Sequence, residues 1–85
     1  MNAQDLFNAA ADRDLAAVVV CDGMVDYRGV NMAKAYDAVE AVEEAEVNFY
    51  EDGEHVGWAL ILIGLDDDEQ IADCSGIVER MIEGG

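Results

Sequence analysis

The stretch EVNFYEDGEHVGWALILIG, residues 46–64, decides the fold. At its centre Asp52-Gly53 separates two strand-like runs, and Asp-Gly in this position is a strong hairpin signal because both turn residues need positive φ. We therefore predict that residues 46–51 pair with residues 54–64. Residues 56–63 are apolar at odd and even positions alike, which indicates a central strand covered on both faces.

Helices on one side of such a sheet would leave its other face in need of a further helix, a partner protein or a second copy of the chain. Gly57 interrupts the large apolar side chains of this strand. A glycine there indicates either the close approach of another backbone or room for a neighbouring aromatic ring.

The same turn signal occurs upstream at Asp22-Gly23, which predicts that Ala16–Cys21 pairs with residues 24–28. A helical pattern follows each hairpin. The chain is thus interpreted as a ββα unit repeated after about 30 residues, with one helix in front of it.

The first helix is predicted to start at Asn2 as its N-cap and to end near residues 12–14, and the second to start at Asn31. The third is predicted to start in the acidic run 66–69, where an Asp N-cap and the helix dipole favour negative charge. Gly76 lies inside this third helix and indicates a close approach to the sheet. The inner face of the third helix is predicted to consist of Ile71, Cys74, Val78 and Met81.

These elements predict a single α+β domain over residues 1–85, with αββαββα order and a mainly antiparallel four-stranded sheet packed against helices two and three. The core is expected to contain large apolar residues from strands and helices. These residues are Val18, Val20, Val39, Val47, Phe49, Trp58, Leu60, Leu62, Ile71 and Val78.

The net charge of −16 over 85 residues is the strongest indication of function. Such a field concerns partners and solubility rather than fold. With 53% hydrophobic residues the chain is expected to fold despite its charge. An anionic surface repels nucleic acid and acidic lipid, and the longest apolar run, residues 56–65, is too short to cross a membrane as a helix. The composition predicts a cytoplasmic protein that binds neither nucleic acid nor membrane.

Catalytic and metal sites receive little support from the residue pattern. Ser75 is the one serine and there is no threonine, while carboxylates are so abundant that any acid/base pair is uninformative. His55 follows a turn and has Glu51 and Glu54 near it, where it is either a solvated side chain or a proton switch.

Cys21 and Cys74 have no metal-ligand spacing, which favours buried thiols in a reducing compartment. The contiguous run 66–69 lacks the alternating ligands of a calcium loop, so no cofactor, no metal and no enzymatic activity are expected.

The carboxylates are informative as a group because no Lys or Arg separates them between Lys34 and Arg80. An ordinary helix face alternates charge signs and gains i, i+4 ion pairs. Duplex DNA carries one charge per ~1.7 Å of axis, so carboxylates a few Å apart present a sparser form of the same field. We expect a partner surface lined by Lys and Arg to bind this series, which consists of Asp37, Glu40, Glu43, Glu44, Glu46, Glu51, Asp52 and Glu54.

In size, acidity and compact α+β pattern the chain resembles the small acidic phage proteins that inhibit host defence, the anti-CRISPR and antirestriction DNA mimics. The resemblance is one of overall character and involves no shared motif. It implies a phage-encoded inhibitor in the host cytoplasm that binds a CRISPR effector or a restriction enzyme on its nucleic-acid-binding surface.

Two other interpretations stay open. One is a housekeeping domain of a salt-loving organism, whose acidic surface keeps it hydrated in high salt. The absence of threonine and the position of the four basic residues outside the acidic middle argue against it. The other is an adaptor or regulatory protein that uses its apolar strand as a homodimer surface.

Overall fold

Both Asp-Gly dipeptides form the predicted turns in the computed structural model, which describes residues 2–64 and 70–84. Asp22 and Gly23 have φ angles of 52° and 78°, and Asp52 and Gly53 have φ angles of 52° and 83°. Positive φ at both central residues matches the right-handed twist of the flanking strands. The two predicted hairpins are confirmed.

The described residues form three helices and five strands. In chain order they are α1 (Ala3–Asp12), β1 (Ala16–Cys21), β2 (Met24–Gly29), α2 (Met32–Glu40), β3 (Glu44–Glu51), β4 (Glu54–Leu62), β5 (Ile71–Gly76) and α3 (Ile77–Gly84). The strands form one sheet in the order β2-β1-β3-β4-β5, and every neighbouring pair is antiparallel. The α+β class and the antiparallel sheet are confirmed, whereas the predicted count of four strands is wrong.

The first two helices begin where their caps predict. The Asn2 side chain accepts a hydrogen bond from the backbone N–H of Asp5 at 2.8 Å, and Asn31 accepts one from Lys34 at 3.1 Å. Each bond satisfies an N–H group that lacks a partner within the helix.

The predicted third helix is wrong over its middle, because Ile71–Gly76 forms strand β5 along the edge of β4. Ile71 and Cys74 are therefore strand residues, while Val78 and Met81 are buried on α3 as predicted. The backbone groups along the edge of β4 gain partners from β5, and this pairing outweighs the weak helical preference of six residues. The run 66–69 lies outside the described residues.

Gly57 and Gly76 are partners across β4 and β5. A Cβ atom at Gly57 would lie 2.7 Å from the Ser75 carbonyl oxygen, and one at Gly76 would lie 2.4 Å from the Val56 carbonyl oxygen. Gly76 also has a φ of 68°, which a helix interior does not allow. At Gly57 the first of the two predicted alternatives, the close approach of another backbone, is the one observed. Gly76 is not a helix residue that approaches the sheet, as predicted, but the last residue of β5.

The core lies between the sheet and all three helices, and α1 belongs to it through ring contacts of Phe7 with Phe49 and Tyr36, each with centroids 6.1 Å apart. Of the predicted core residues, Val39, Val47, Phe49 and Val78 are buried. The other six are only half-buried, namely Val18, Val20, Trp58, Leu60, Leu62 and Ile71.

Five of these six residues, on β1 and β4, lie on the side of the sheet that faces away from the helices, and the sixth, Ile71, was predicted on a helix but lies in β5. The structure buries the alternate set of β1 and β4, so that Ala17, Val19, Ala59 and Ile61 face the helices. Small side chains allow a helix to approach the sheet backbone closely, and Ala45 on β3 has the same role.

Candidate partner-binding surface

The sheet face that points away from the helices is the largest feature without a covering element among the described residues. Side chains of directly paired residues project to the same side of a sheet, so the strand register defines this face. We call it the open face, and its members are Val18, Val20, Val25, Arg28, Glu44, Glu46, Asn48, Tyr50, Trp58, Leu60, Leu62, Asp73 and Ser75.

The centre of the open face is apolar. Trp58 lies between Asn48 on β3 and Ser75 on β5, and it is half-buried. Leu60 is its neighbour on the same face of β4 and is also half-buried. Leu62 continues this row along β4, whereas Val18 on β1 is separated from Trp58 by the polar side chain of Asn48 on β3.

Carboxylates flank this apolar centre. Leu60 is paired with Glu46 on one side and Asp73 on the other, at the spacing of about 4.8 Å between neighbouring strands. Glu44 and Glu46 also line a depression of about 380 Å³ together with Asp22. An acidic edge therefore borders the apolar centre along the ends of three strands.

A second depression, of about 400 Å³, lies at the other end of β1. Its walls include Val18, Arg28 and Tyr50, and Ala16 and Gly29 complete the rim. Within the described residues, Arg28 is the basic side chain of the open face, and it lies on the edge strand β2. The end of the open face near Glu44 thus carries negative side chains, whereas the end near Arg28 carries a positive one.

The structure places the eight carboxylates of the predicted series in three separate positions. Asp37 and Glu40 lie on the exposed side of α2, on the helical layer of the molecule. Glu44 and Glu46 lie on the open face, after Glu43 in the loop that precedes β3. The remaining three, Glu51, Asp52 and Glu54, surround the β3–β4 turn.

No single continuous track joins these positions. Glu44 and Glu51 are the two ends of β3, roughly 23 Å apart at the rise of an extended strand. Asp37 and Glu40 lie on the opposite side of the sheet from Glu44 and Glu46. One flat partner surface therefore contacts the open-face group or the α2 group, but not both.

The carboxylates of the described side chains, residues 2–64 and 70–81, are all exposed. The four basic residues Arg13, Arg28, Lys34 and Arg80 are exposed as well, and within these residues none of them forms an ion pair with a carboxylate. The negative field of the surface is therefore not neutralised by neighbouring cations.

His55 is the second residue of β4 and lies beside the open face. Its Nε2 atom is 3.0 Å from the Asn48 side-chain oxygen, and its ring meets the Tyr50 ring edge-on with centroids 5.2 Å apart. The sequence suggested Glu51 and Glu54 as its neighbours, whereas the hydrogen-bond partner comes from the facing strand. Only the register of β3 against β4 brings Asn48 to this position.

The two cysteines are half-buried, and no disulfide joins them. The Cys21 thiol donates a hydrogen bond to the Glu44 carbonyl oxygen at 3.2 Å. Partial burial, and then the carboxylates of Asp26, Asp22 and Glu44, raise the pKa of Cys21 above its usual range. The prediction of buried thiols is met only in part, because Cys74 packs half-buried against the core while Cys21 lies at a strand end beside the acidic edge.

Over residues 2–64 and 70–84 the structure brings together no group of three His, Cys, Asp or Glu side chains that could hold a metal ion. In the same residues no helix is both long and apolar enough to cross a membrane. Comparison with known proteins found no matching family model, no matching curated protein and no matching solved structure.

Proposed function

We propose that this protein is an acidic inhibitor of the phage type, an anti-CRISPR or DNA-mimic protein, that binds a positively charged nucleic-acid-binding surface of a host defence complex and blocks it. The observation that carries this proposal is that the carboxylates of the described side chains are exposed and form no ion pair within the described residues, on a chain of net charge −16. The inhibitor acts by occupying a surface rather than by catalysis.

Electrostatics supports this function in preference to a structural role. Exposed charges of one sign repel each other and destabilise a compact chain. They also steer association with a basic surface and raise its rate, an effect that weakens as salt screens the charges. A CRISPR effector or a restriction enzyme exposes such a surface wherever it holds DNA.

The test is a competition experiment with a purified CRISPR effector complex and a purified restriction enzyme, each bound to fluorescently labelled duplex DNA. We expect the protein to displace the DNA from at least one of them, measured as a fall in fluorescence anisotropy. The concentration needed should rise steeply between about 50 and 200 mM salt, the range over which phosphate contacts themselves weaken.

Poly-glutamate at the same concentration of negative charge is the matched control. Displacement by the protein but not by the polymer supports a specific fit between the two surfaces. Equal displacement by both would show that the total negative charge alone displaces the DNA. No displacement from either DNA-binding target would reject the proposal. A chain that folds only at molar salt would support the halophilic interpretation instead.

A further inference from the structure

The open face has a composition that neither a free surface nor a homodimer explains. Large apolar residues on an exposed sheet face mark an interaction site when they are contiguous. Here Trp58, Leu60 and Leu62 follow one another along the open face of β4. This apolar centre is bordered by Glu44, Glu46 and Asp73.

Charge complementarity decides which occupant the face fits. A second copy would bring a chain of net charge −16 against another, and this mutual repulsion opposes the pairing of two such faces. A basic segment instead neutralises these carboxylates while its apolar side chains cover Trp58 and Leu60. The face therefore favours a cationic, amphipathic partner over a second copy of the chain.

The size of the face fits one secondary-structure element of that partner. Five strands at about 4.8 Å spacing give a width of roughly 20 Å, and six-residue strands give a length of about 20 Å. This area is about half of the ~800 Å² that one partner contributes to a standard protein interface. A helix of about 10 Å diameter lying across the strands covers about half of the strand length, which is enough to contact both Trp58 and Leu60.

We infer that the open face is the surface through which this protein holds its target, and that its occupant is a basic amphipathic helix of the target protein. Lys and Arg side chains of that helix contact Glu44, Glu46 and Asp73, and its apolar stripe packs on Trp58 and Leu60. This inference rests on the proposed function and replaces the eight-carboxylate series by one defined surface. The carboxylates of α2 then act only through the long-range field.

The probe for this surface is a synthetic helical peptide with a Lys face and a Leu face, and its control has the same lysines with Ser in place of Leu. Trp58 is the one tryptophan of the chain, so its emission reports binding at the centre of the open face directly. We expect the Lys/Leu peptide to shift this emission to shorter wavelength in a saturable way. The Lys/Ser peptide should bind at least ~10-fold more weakly, since each buried apolar side chain contributes roughly 1.5–3 kcal/mol.

Two charge-matched double variants locate the site. Glu44→Lys with Glu46→Lys changes the open face, and Asp37→Lys with Glu40→Lys makes the same net change on α2. All four side chains are exposed, so both variants are expected to fold, as far-UV circular dichroism will show. The open-face variant should weaken peptide binding at least ~10-fold, and the α2 variant less than ~3-fold, because only the former removes contacts at the docked helix.

Equal weakening by the two variants, or equal binding of the two peptides, would overturn the assignment of this surface. An unchanged Trp58 emission on binding would overturn it as well. Failure of the proposed function has a separate signature, which is tight Lys/Leu peptide binding at Trp58 without displacement of DNA from either defence enzyme. The reverse result, DNA displacement that is equally sensitive to both variants, would leave the function intact and reject the open face.

Discussion

The two faces of the sheet differ in a way that side-chain size does not predict. The helix-covered face carries Ala17, Ala45 and Ala59 among its buried residues, whereas the open face carries Trp58 and Leu60. The small side chains allow the helices to approach the strands closely, and the large ones project to the side where no described helix packs. Burial in this protein therefore depends on where the helices lie, since Phe49 and Ile61 are buried on the covered face while Trp58 and Leu60 on the other face are half-buried.

Truncation of one large aromatic residue on each face is the most direct test of this difference. Phe49 is fully buried, so Phe49→Ala should lower the free energy of unfolding by about 3–5 kcal/mol, a large part of the total for a domain of this size. Trp58→Ala should cost less, because a ring that is only partly buried removes a smaller fraction of its apolar surface from water.

Urea titrations followed by circular dichroism give both values, and an unchanged dependence on urea would show that the unfolded states are comparable. If the two losses were equal, Trp58 would have to be covered in the free protein. The distinction between a buried and an open face would then fail.

Gly57→Ala is expected to cause the next largest loss of stability. It tests how closely β4 and β5 approach each other at the start of α3. The added methyl group would meet the Ser75 carbonyl oxygen at 2.7 Å and the Ile77 nitrogen at 2.9 Å. Such overpacking costs about 1–3 kcal/mol.

Gly64→Ala is the matched control, since nothing lies within 4 Å of the new Cβ atom and neither glycine requires a positive φ. We expect the stability of that variant to change by less than about 0.5 kcal/mol. Thermal melts of the two variants compare them under identical conditions. A neutral Gly57→Ala would show that the β4–β5 pair can separate without cost.

The reactivity of Cys21 gives the smallest effect and probes the acidic edge of the open face. Its pKa is raised by partial burial and then by Asp26, Asp22 and Glu44, so less thiolate forms at a given pH than in the unfolded chain. In a Cys74→Ser background, iodoacetamide should therefore modify the folded protein more slowly near pH 8 than the denatured protein.

Asp26→Asn separates charge from burial in this measurement. Removing one negative neighbour should move the pH midpoint of the alkylation rate downward without changing access to the thiol. An unmoved midpoint would mean that Asp26 does not contribute, and that partial burial, Asp22 and Glu44 raise the pKa of Cys21.

Local signals in the sequence predicted the turns and the helix starts correctly. Asp22-Gly23 and Asp52-Gly53 need positive φ, and Asn2 and Asn31 accept hydrogen bonds from residues three positions later. Each of these features depends on a few neighbouring residues, so no tertiary contact is needed to recognise it.

The third helix was predicted wrongly because β4, the strand with which residues 71–76 pair, is distant from them in sequence. Ile71–Gly76 gains its strand partners from β4, and the periodicity of 71–82 contains no sign of that edge. Gly76 was the one available signal, since a glycine between apolar helical residues also fits a strand end with positive φ.

The candidate site shows the same division. Composition alone predicted an acidic surface, but the grouping of its carboxylates follows from the register. Glu46 and Asp73 are 27 positions apart in the chain, yet both flank Leu60 because β3 and β5 pair with opposite edges of β4.

The sequence by itself thus determined the α+β class, both hairpins, the first two helix starts and the strong negative charge, all of which follow from local conformation or composition. Only the tertiary structure decided that Ala59 and Ile61 face the helices while Trp58 and Leu60 face outward. A strand that is apolar at every position has no preferred side of its own. Its orientation is determined by the register with its neighbours and by the face on which the helices find the closest packing.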